Sequence, residues 1–332
     1  RVPNELMAKY YAQRAGAGLI IAEATAISEE GYGWSGAPGI YNDAQEEGWK
    51  KVTEAVHKVD GHIYLQLWHM GRVSHPDFLG GRPPVGPSAI AAEGQNRSLR
   101  PPKDYVTPRA MTLDDIKRTI EDYERAALRA IRAGFDGVEI HGANGYLIDQ
   151  FLRTQANQRD DEYGGPAQNR TRFMEEAVTA VTAAVGSDKT GIRLSPENRD
   201  YNSMQDENPE ETFLHATAIL DQFDLAYLHI KEDSKGDQPQ KLVYTPQLRK
   251  AYSGNLLVNE RFNYETGTEA VESDLADAVV YGQLFIANPD LVERFRLGGP
   301  LTEPDTATFY SEGVEGYTDY PFWRTQTAAT GA

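Results

Sequence analysis

Gly137-Val138-Glu139-Ile140-His141-Gly142-Ala143-Asn144-Gly145-Tyr146 is the stretch whose reading decides the fold. Its first four residues form a short, mostly apolar run, and the remaining six form a polar loop punctuated by glycine. A buried parallel strand opening into a loop reads this way. At such a strand end an imidazole and a carboxamide can aim hydrogen-bond donors at one spot, with a phenol beside them. Two neutral donors and a proton donor suit a substrate oxygen that gains negative charge while the adjacent carbon awaits a proton. The bland alternative is a polar loop whose His141 satisfies a backbone carbonyl, and this segment alone leaves both readings open.

Working outward, the same alternation repeats along the chain. Residues 19–27, 62–69, 137–143, 190–196, 225–232, 255–260 and 277–285 read as seven strands. Between them, residues 43–57, 112–133, 168–185, 209–223 and 263–273 carry apolar residues at helical spacing. Thr112 stands as an N-cap, Gly134 as a stop, and Asn288-Pro289-Asp290 opens one more helix. Strands alternating with helices, the strands nearly continuous in apolar character, mean a parallel sheet in an α/β fold. Residues 71–107, rich in Gly and Pro, are too long for a plain strand-to-helix turn and read as a lid over one face.

Polar residues gather at the C-terminal ends of the strands: Glu23 and Thr25, Gln66 and His69, His141 and Asn144, Arg193, His229 and Lys231, Asn259 to Arg261, and Gln283. In a (β/α)8 barrel those ends carry catalytic and cofactor groups. One buried polar residue is more often a satisfied core group. Seven strands with the same kind of ending argue for a site. Seven strands are one short of a closed (β/α)8 TIM barrel.

Composition limits the partners. The chain has 332 residues, a normal length for one barrel. Fifty acidic residues against 33 basic ones give a formal charge of -17, which opposes nucleic acid and anionic membranes as partners. An anionic cofactor then needs local Arg, Lys and backbone N–H groups to hold it. The absence of cysteine excludes disulfides, thiolate nucleophiles, and Cys-ligated zinc or iron–sulfur centres. His69, His75 and His229 make no metal-ligand set, so no metal is expected. No apolar run reaches the roughly 20 residues of a membrane span and no signal peptide is visible. The expectation is a soluble, cytoplasmic protein acting on small molecules as a monomer or homodimer.

Taken together, several motifs resemble the Old Yellow Enzyme family of FMN-dependent ene-reductases. They are Pro3-Asn4-Glu5-Leu6-Met7, Gly18 to Thr25, Gln66-Leu67-Trp68-His69-Met70-Gly71-Arg72 and Gly134 to His141. They continue through Gly145-Tyr146-Leu147, Asp161 to Gly165, Phe285 to Leu291 and Glu315 to Pro321. The resemblance spans the chain to about Phe322. It implies one FMN-binding barrel over residues 1–322, with residues 323–332 as a tail.

The resemblance also implies roles. His141 and Asn144 bind and polarise the substrate's activating oxygen, and Tyr146 gives the proton. Gln66 and Arg193 contact the flavin ring, Ala24 also binds the cofactor, and Trp68 and Tyr310 line the substrate pocket. The cofactor is non-covalent FMN, with NADPH or NADH as reductant in a ping-pong reduction of α,β-unsaturated carbonyl or nitro compounds. The sequence departs from the family pattern in two ways. The family's first barrel strand, which precedes the Pro-Asn-Glu-Leu-Met helix, is not found here. Gln283 also stands where many relatives have the Arg that grips the FMN phosphate. Arg261, with backbone N–H groups around Gly282, is the expected substitute. The missing strand keeps open an alternative class, an inactive flavin- or ligand-binding fragment. A dihydroorotate-dehydrogenase-like barrel is a third reading, which the His141-Asn144-Tyr146 set does not suit.

Overall fold

The computed structural model describes residues 1–197, 204–232, 242–310 and 313–323. Eight parallel strands form one curled sheet. Its order is Ile20–Ile21, Ile63–Trp68, Gly137–Gly142, Thr190–Leu194, Tyr227–Lys231, Leu256–Asn259 and Ala278–Val280, with Thr25–Ala26 pairing further along Ile63–Trp68. Ile20–Ile21 and Thr25–Ala26 share that neighbour, so they are two pieces of one stave. The interruption has a clear cause. The Glu23 N–H donates to the Tyr11 phenol at 2.9 Å, and the phenol donates to Glu23 Oε1 at 2.9 Å. A contact from a helix thus breaks the single strand expected over residues 19–27. Seven staves of a (β/α)8 barrel result.

Size alternation shapes the barrel's interior. A Cβ on Gly137 would overlap the Tyr64 ring, and one on Gly191 would overlap Tyr227. The two tyrosine rings, with centroids 5.8 Å apart, occupy the space those glycines leave. Small residues facing large ones fill a tapered barrel without voids. Outside the sheet, Ile63, Leu65, Val138, Ile140, Ile192 and Leu194 bury fully against the helices. Each such side chain contributes about 1.5–3 kcal/mol on leaving water.

Among the described residues no strand joins Ala278–Val280 to Ile20–Ile21, and helices bridge that gap. Arg14, at the end of helix Glu5–Gln13, is buried. It donates to the carbonyls of Phe285 (2.9 Å) and Ile286 (2.7 Å), on the far side of the opening. Tyr10 stacks on Tyr317 at 4.3 Å, and Gln13 donates to the Thr318 carbonyl at 3.1 Å.

Two of the helices read from the sequence form as expected. Asp43–His57 begins with a capping box between Asn42 and Gln45, and Leu113–Arg132 with one between Thr112 and Asp115. Such a cap stabilises a helix by about 1 kcal/mol. The second stops at Gly134, whose φ of 91° and approach to Thr53 suit only glycine.

Other boundaries shift. Residues 168–185 split at Thr171 into Ala167–Arg170 and Arg172–Val185, because the Thr171 hydroxyl donates back to Ala167 and Gln168 carbonyls. The strand expected over 277–285 ends at Val280, and Gln283 starts helix Gln283–Ala287 instead of closing a strand. Helices Leu147–Leu152 and Thr245–Ala251 were not foreseen.

The long excursion forms two small sheets. Val85–Gly86 pairs with Arg109–Ala110, and Gln95–Asn96 with Lys103–Asp104. Its Val73, Ala92, Phe78 and Tyr105 pack with Trp68 and Tyr146 over the C-terminal ends of the strands. In the tail, the Trp323 N–H donates to Asp290 Oδ2 at 2.7 Å, and residues 324–332 lie outside the described residues. No helix among the described residues is long and apolar enough to cross a membrane.

Candidate active site

Parallel strands in one sheet put all their C-terminal ends on the same rim, so the polar residues there converge. His141 lies on Gly137–Gly142 and is 3% exposed. Its Nδ1 accepts the Ala143 N–H at 3.3 Å, which leaves the neutral ring's proton on Nε2. Burial, reinforced by the Arg193 charge, lowers its pKa to about 3. His141 is therefore a neutral donor throughout the physiological range.

The loop that follows is held from below. Asn144 takes a left-handed φ of 58°, which Asn tolerates better than most residues. Its N–H donates to Ser195 Oγ at 2.8 Å, and the Gly145 N–H to Asp149 Oδ2 at 2.8 Å. Asp149 Oδ1 pairs with Arg153 Nε at 2.8 Å, both side chains buried, and Arg153 reaches on to the Pro196 carbonyl at 3.2 Å. Gln150 adds a second anchor. It donates to the Met70 and Gly145 carbonyls at 3.0 and 2.8 Å and accepts the Arg72 N–H at 3.0 Å. Through these side chains, helix Leu147–Leu152 fixes the loop to two neighbouring strand ends.

Aromatic rings enclose one side. Tyr146 meets His141 edge-on at 4.9 Å and Trp68 edge-on at 5.3 Å. Tyr32, Met70 and Ala92 are buried with them, and Ala24, Trp34 and Tyr105 pack against the group. Edge-to-face contacts of this kind add about 0.5–1.5 kcal/mol each and hold the rings in one orientation. Tyr310 meets Trp34 of this wall at 5.4 Å between ring centroids and is 82% exposed.

Next to the donors lies a polar group in the barrel interior. Gln66 Nε2 donates to Glu139 Oε1 at 2.6 Å, and Glu139 Oε2 lies 2.8 Å from His229 Nδ1. Arg193, in register with both His141 and His229, donates to Asn259 Oδ1 at 2.8 Å. Burial opposes charge on Glu139, yet His229 and Arg193 hold its carboxyl below the usual carboxylate range. Burial lowers His229. The group thus carries one anion, Glu139, and one cation, Arg193. Gln66, Arg193 and Ala24 offer a mixed donor–acceptor edge, a fixed positive charge and a small side chain, which suits the pyrimidine end of a flavin ring.

Arg261, Gly282 and Gln283 stand apart, beyond the last two strands. Arg261, with φ 54°, has its side chain 60% exposed, and its Nε lies 3.7 Å from Glu260 Oε1. A Cβ on Gly282 would meet nothing within 4 Å, so there is open space beside it. Among the described residues no group of three or more His, Asp or Glu is placed to hold a metal ion.

Sequence reading did not single out Glu139, Asp149, Ser195 or Trp34, and it gave His229 no role beyond its place at a strand end. For Glu139 a signal existed: a carboxylate in the middle of an otherwise apolar strand needs a partner inside the barrel.

Known proteins resemble this chain in sequence and in fold. The sequence profile of the NADH:flavin oxidoreductase / NADH oxidase family matches residues 1–301. The flavin oxidoreductase hxnT of Emericella nidulans is 43% identical over 97% of this chain and 88% of its own length. The 12-oxophytodienoate reductase 7 of Oryza sativa subsp. japonica is 41% identical over 97% of this chain and 87% of its own. The solved structure of the old yellow enzyme homologue from Zymomonas mobilis superposes with a TM-score of 0.92 at 46% identity, over 97% of this chain and 91% of that one. Family profile, relatives and fold agree: the chain belongs to the Old Yellow Enzyme family of FMN-dependent oxidoreductases.

Proposed function

We propose that this protein is an ene-reductase that uses NADPH or NADH to reduce the activated C=C bond of α,β-unsaturated carbonyl or nitro compounds. The observation that carries the reading is the His141 tautomer, a buried neutral ring whose proton sits on Nε2 beside a loop locked in place by Asp149 and Ser195. A donor that stays neutral polarises a carbonyl or nitro oxygen without surrendering its own proton. With Asn144 as a second donor, developing negative charge on that oxygen would be stabilised by about 2–4 kcal/mol per donor. The Tyr146 phenol then protonates the α-carbon. Trp68 and Trp34 exclude water from that face, and Tyr310 lines its outer edge.

Bound FMN would supply the hydride chemistry, taking hydride from the nicotinamide and passing it to the β-carbon in a ping-pong sequence. Gln66 and Ala24 hold the ring's edge, Arg193 places positive charge beside it, and Arg261 with the backbone at Gly282 and Gln283 receives the phosphate. The partners are small molecules, the assembly a monomer or homodimer, and the compartment the cytoplasm. The test is oxidation of NADPH and NADH by the purified yellow protein in the presence and absence of 2-cyclohexenone under anaerobic conditions. Enone-dependent oxidation with formation of cyclohexanone is expected. A colourless protein, or a yellow one that leaves the enone intact, contradicts the reading.

A further inference from the structure

The carboxylate of Glu139 lies inside the barrel, where an ion is costly unless it does something for its neighbours. Gln66 and Glu139 are register partners on adjacent parallel strands, and both are buried. Glu139 spends one oxygen on Gln66 Nε2 at 2.6 Å and the other on His229 Nδ1 at 2.8 Å. An ionised carboxylate only accepts hydrogen bonds. It therefore selects the amide orientation of Gln66 that presents N–H to it and the His229 tautomer that carries its proton on Nδ1. His229 Nε2 is buried and has no partner among the described residues, as expected of a ring whose single proton is committed to Glu139. With that N–H engaged, Gln66 keeps its carbonyl oxygen and one N–H, and among the described residues neither makes another hydrogen bond.

We infer that Glu139, backed by His229, is a positioning residue that sets the hydrogen-bonding polarity of Gln66, so that Gln66 offers an acceptor to the N3–H of the flavin pyrimidine ring and a donor to an adjacent ring carbonyl. This rests on the FMN reading above. The pyrimidine edge presents one donor between two acceptors, so the opposite amide orientation would set N–H against N–H. Glu139 also offsets the Arg193 charge. Losing it leaves a net positive charge in the barrel, which favours the reduced, more negative flavin.

The test uses protein stripped of flavin and titrated with FMN and with N3-methyl-FMN, followed by quenching of flavin fluorescence. For the wild type, methylation removes the donor that Gln66 accepts, and affinity should fall about 5- to 10-fold. In Glu139→Gln the neighbouring amide donates as well as accepts, both Gln66 orientations become available, and the difference between the two flavins should shrink to less than about 2-fold. The flavin reduction potential of this variant should become more positive. His229→Gln keeps a donor towards Glu139 and should keep the wild-type discrimination. Equal affinity of the wild type for the two flavins overturns the inference without any variant. So does a folded Glu139→Gln protein with full discrimination and an unchanged potential. A protein that binds neither flavin refutes the FMN reading instead.

Discussion

At the residue scale the reaction site rests on protonation states that burial sets. His141 was legible in the sequence because it follows an apolar run and precedes a glycine-punctuated loop. Which of its nitrogens carries the proton was not, because that depends on where the Ala143 N–H lands after the turn has formed. Glu139 and His229 were illegible as a pair: 90 positions separate them, and only the closing of the sheet brings them to 2.8 Å. The phosphate end makes a separate prediction. Arg261 is exposed and shared with Glu260, so its charge is screened, and its contribution should sit at the low end for a charge-assisted bond. Arg261→Ala should raise the FMN dissociation constant about 10-fold and leave riboflavin binding unchanged. Titration of the flavin-free protein with both ligands checks this, and an equal effect on the two would remove Arg261 from the phosphate.

At the element scale, helices Asp43–His57 and Leu113–Arg132 were read to within a residue because one face is apolar and the ends carry caps. Leu147–Leu152 escaped because all six of its residues are buried, which erases the polar face that marks a helix. The strand expected to include Gln283 was cut short where Gly282 turns the chain into a helix. Between these elements, Gly71 is a joint on which the site depends. Its φ is 59°, and a Cβ there would run into the Gln150 carboxamide, which ties Met70 and Arg72 to Gly145. Gly71→Ala should destabilise the protein by at least about 2 kcal/mol through the left-handed φ and the displaced Gln150. It should also weaken binding of phenol, a mimic of the substrate oxygen. Thermal denaturation and phenol titration measure the two effects. Loss of stability with phenol affinity intact would show that Gln150 does not hold the His141–Tyr146 loop.

At the scale of the whole molecule, the sequence revealed the barrel through repetition, one strand and one helix at a time. What bridges the open side was hidden, because Arg14 and Tyr10 act across more than 270 positions on backbone carbonyls and a ring. Acid should loosen the assembled barrel. Burial holds His69 and His141 at about 3, against an ordinary value near 6.5 in the unfolded chain. Between those limits the unfolded chain binds protons that the folded one refuses. This part of the stability is complete above about pH 6.5 and declines as the pH falls towards 3. Each histidine adds about 1.4 kcal/mol per pH unit to that slope. Urea unfolding between pH 5 and 6 should show a slope for His69→Gln smaller by that amount than for the wild type, and equal slopes would mean His69 is charged in the folded protein. The central claim, that the strand-end cluster built on His141, Asn144 and Tyr146 reduces activated alkenes, is tested most directly by separating the two half-reactions of Tyr146→Phe in an anaerobic stopped-flow experiment. Proton delivery from the phenol is needed only when the enone is reduced, so flavin bleaching by NADPH should proceed at nearly the wild-type rate while its reoxidation by 2-cyclohexenone slows by about 10²-fold or more. Reoxidation as fast as in the wild type, or equal slowing of both halves, would contradict the account.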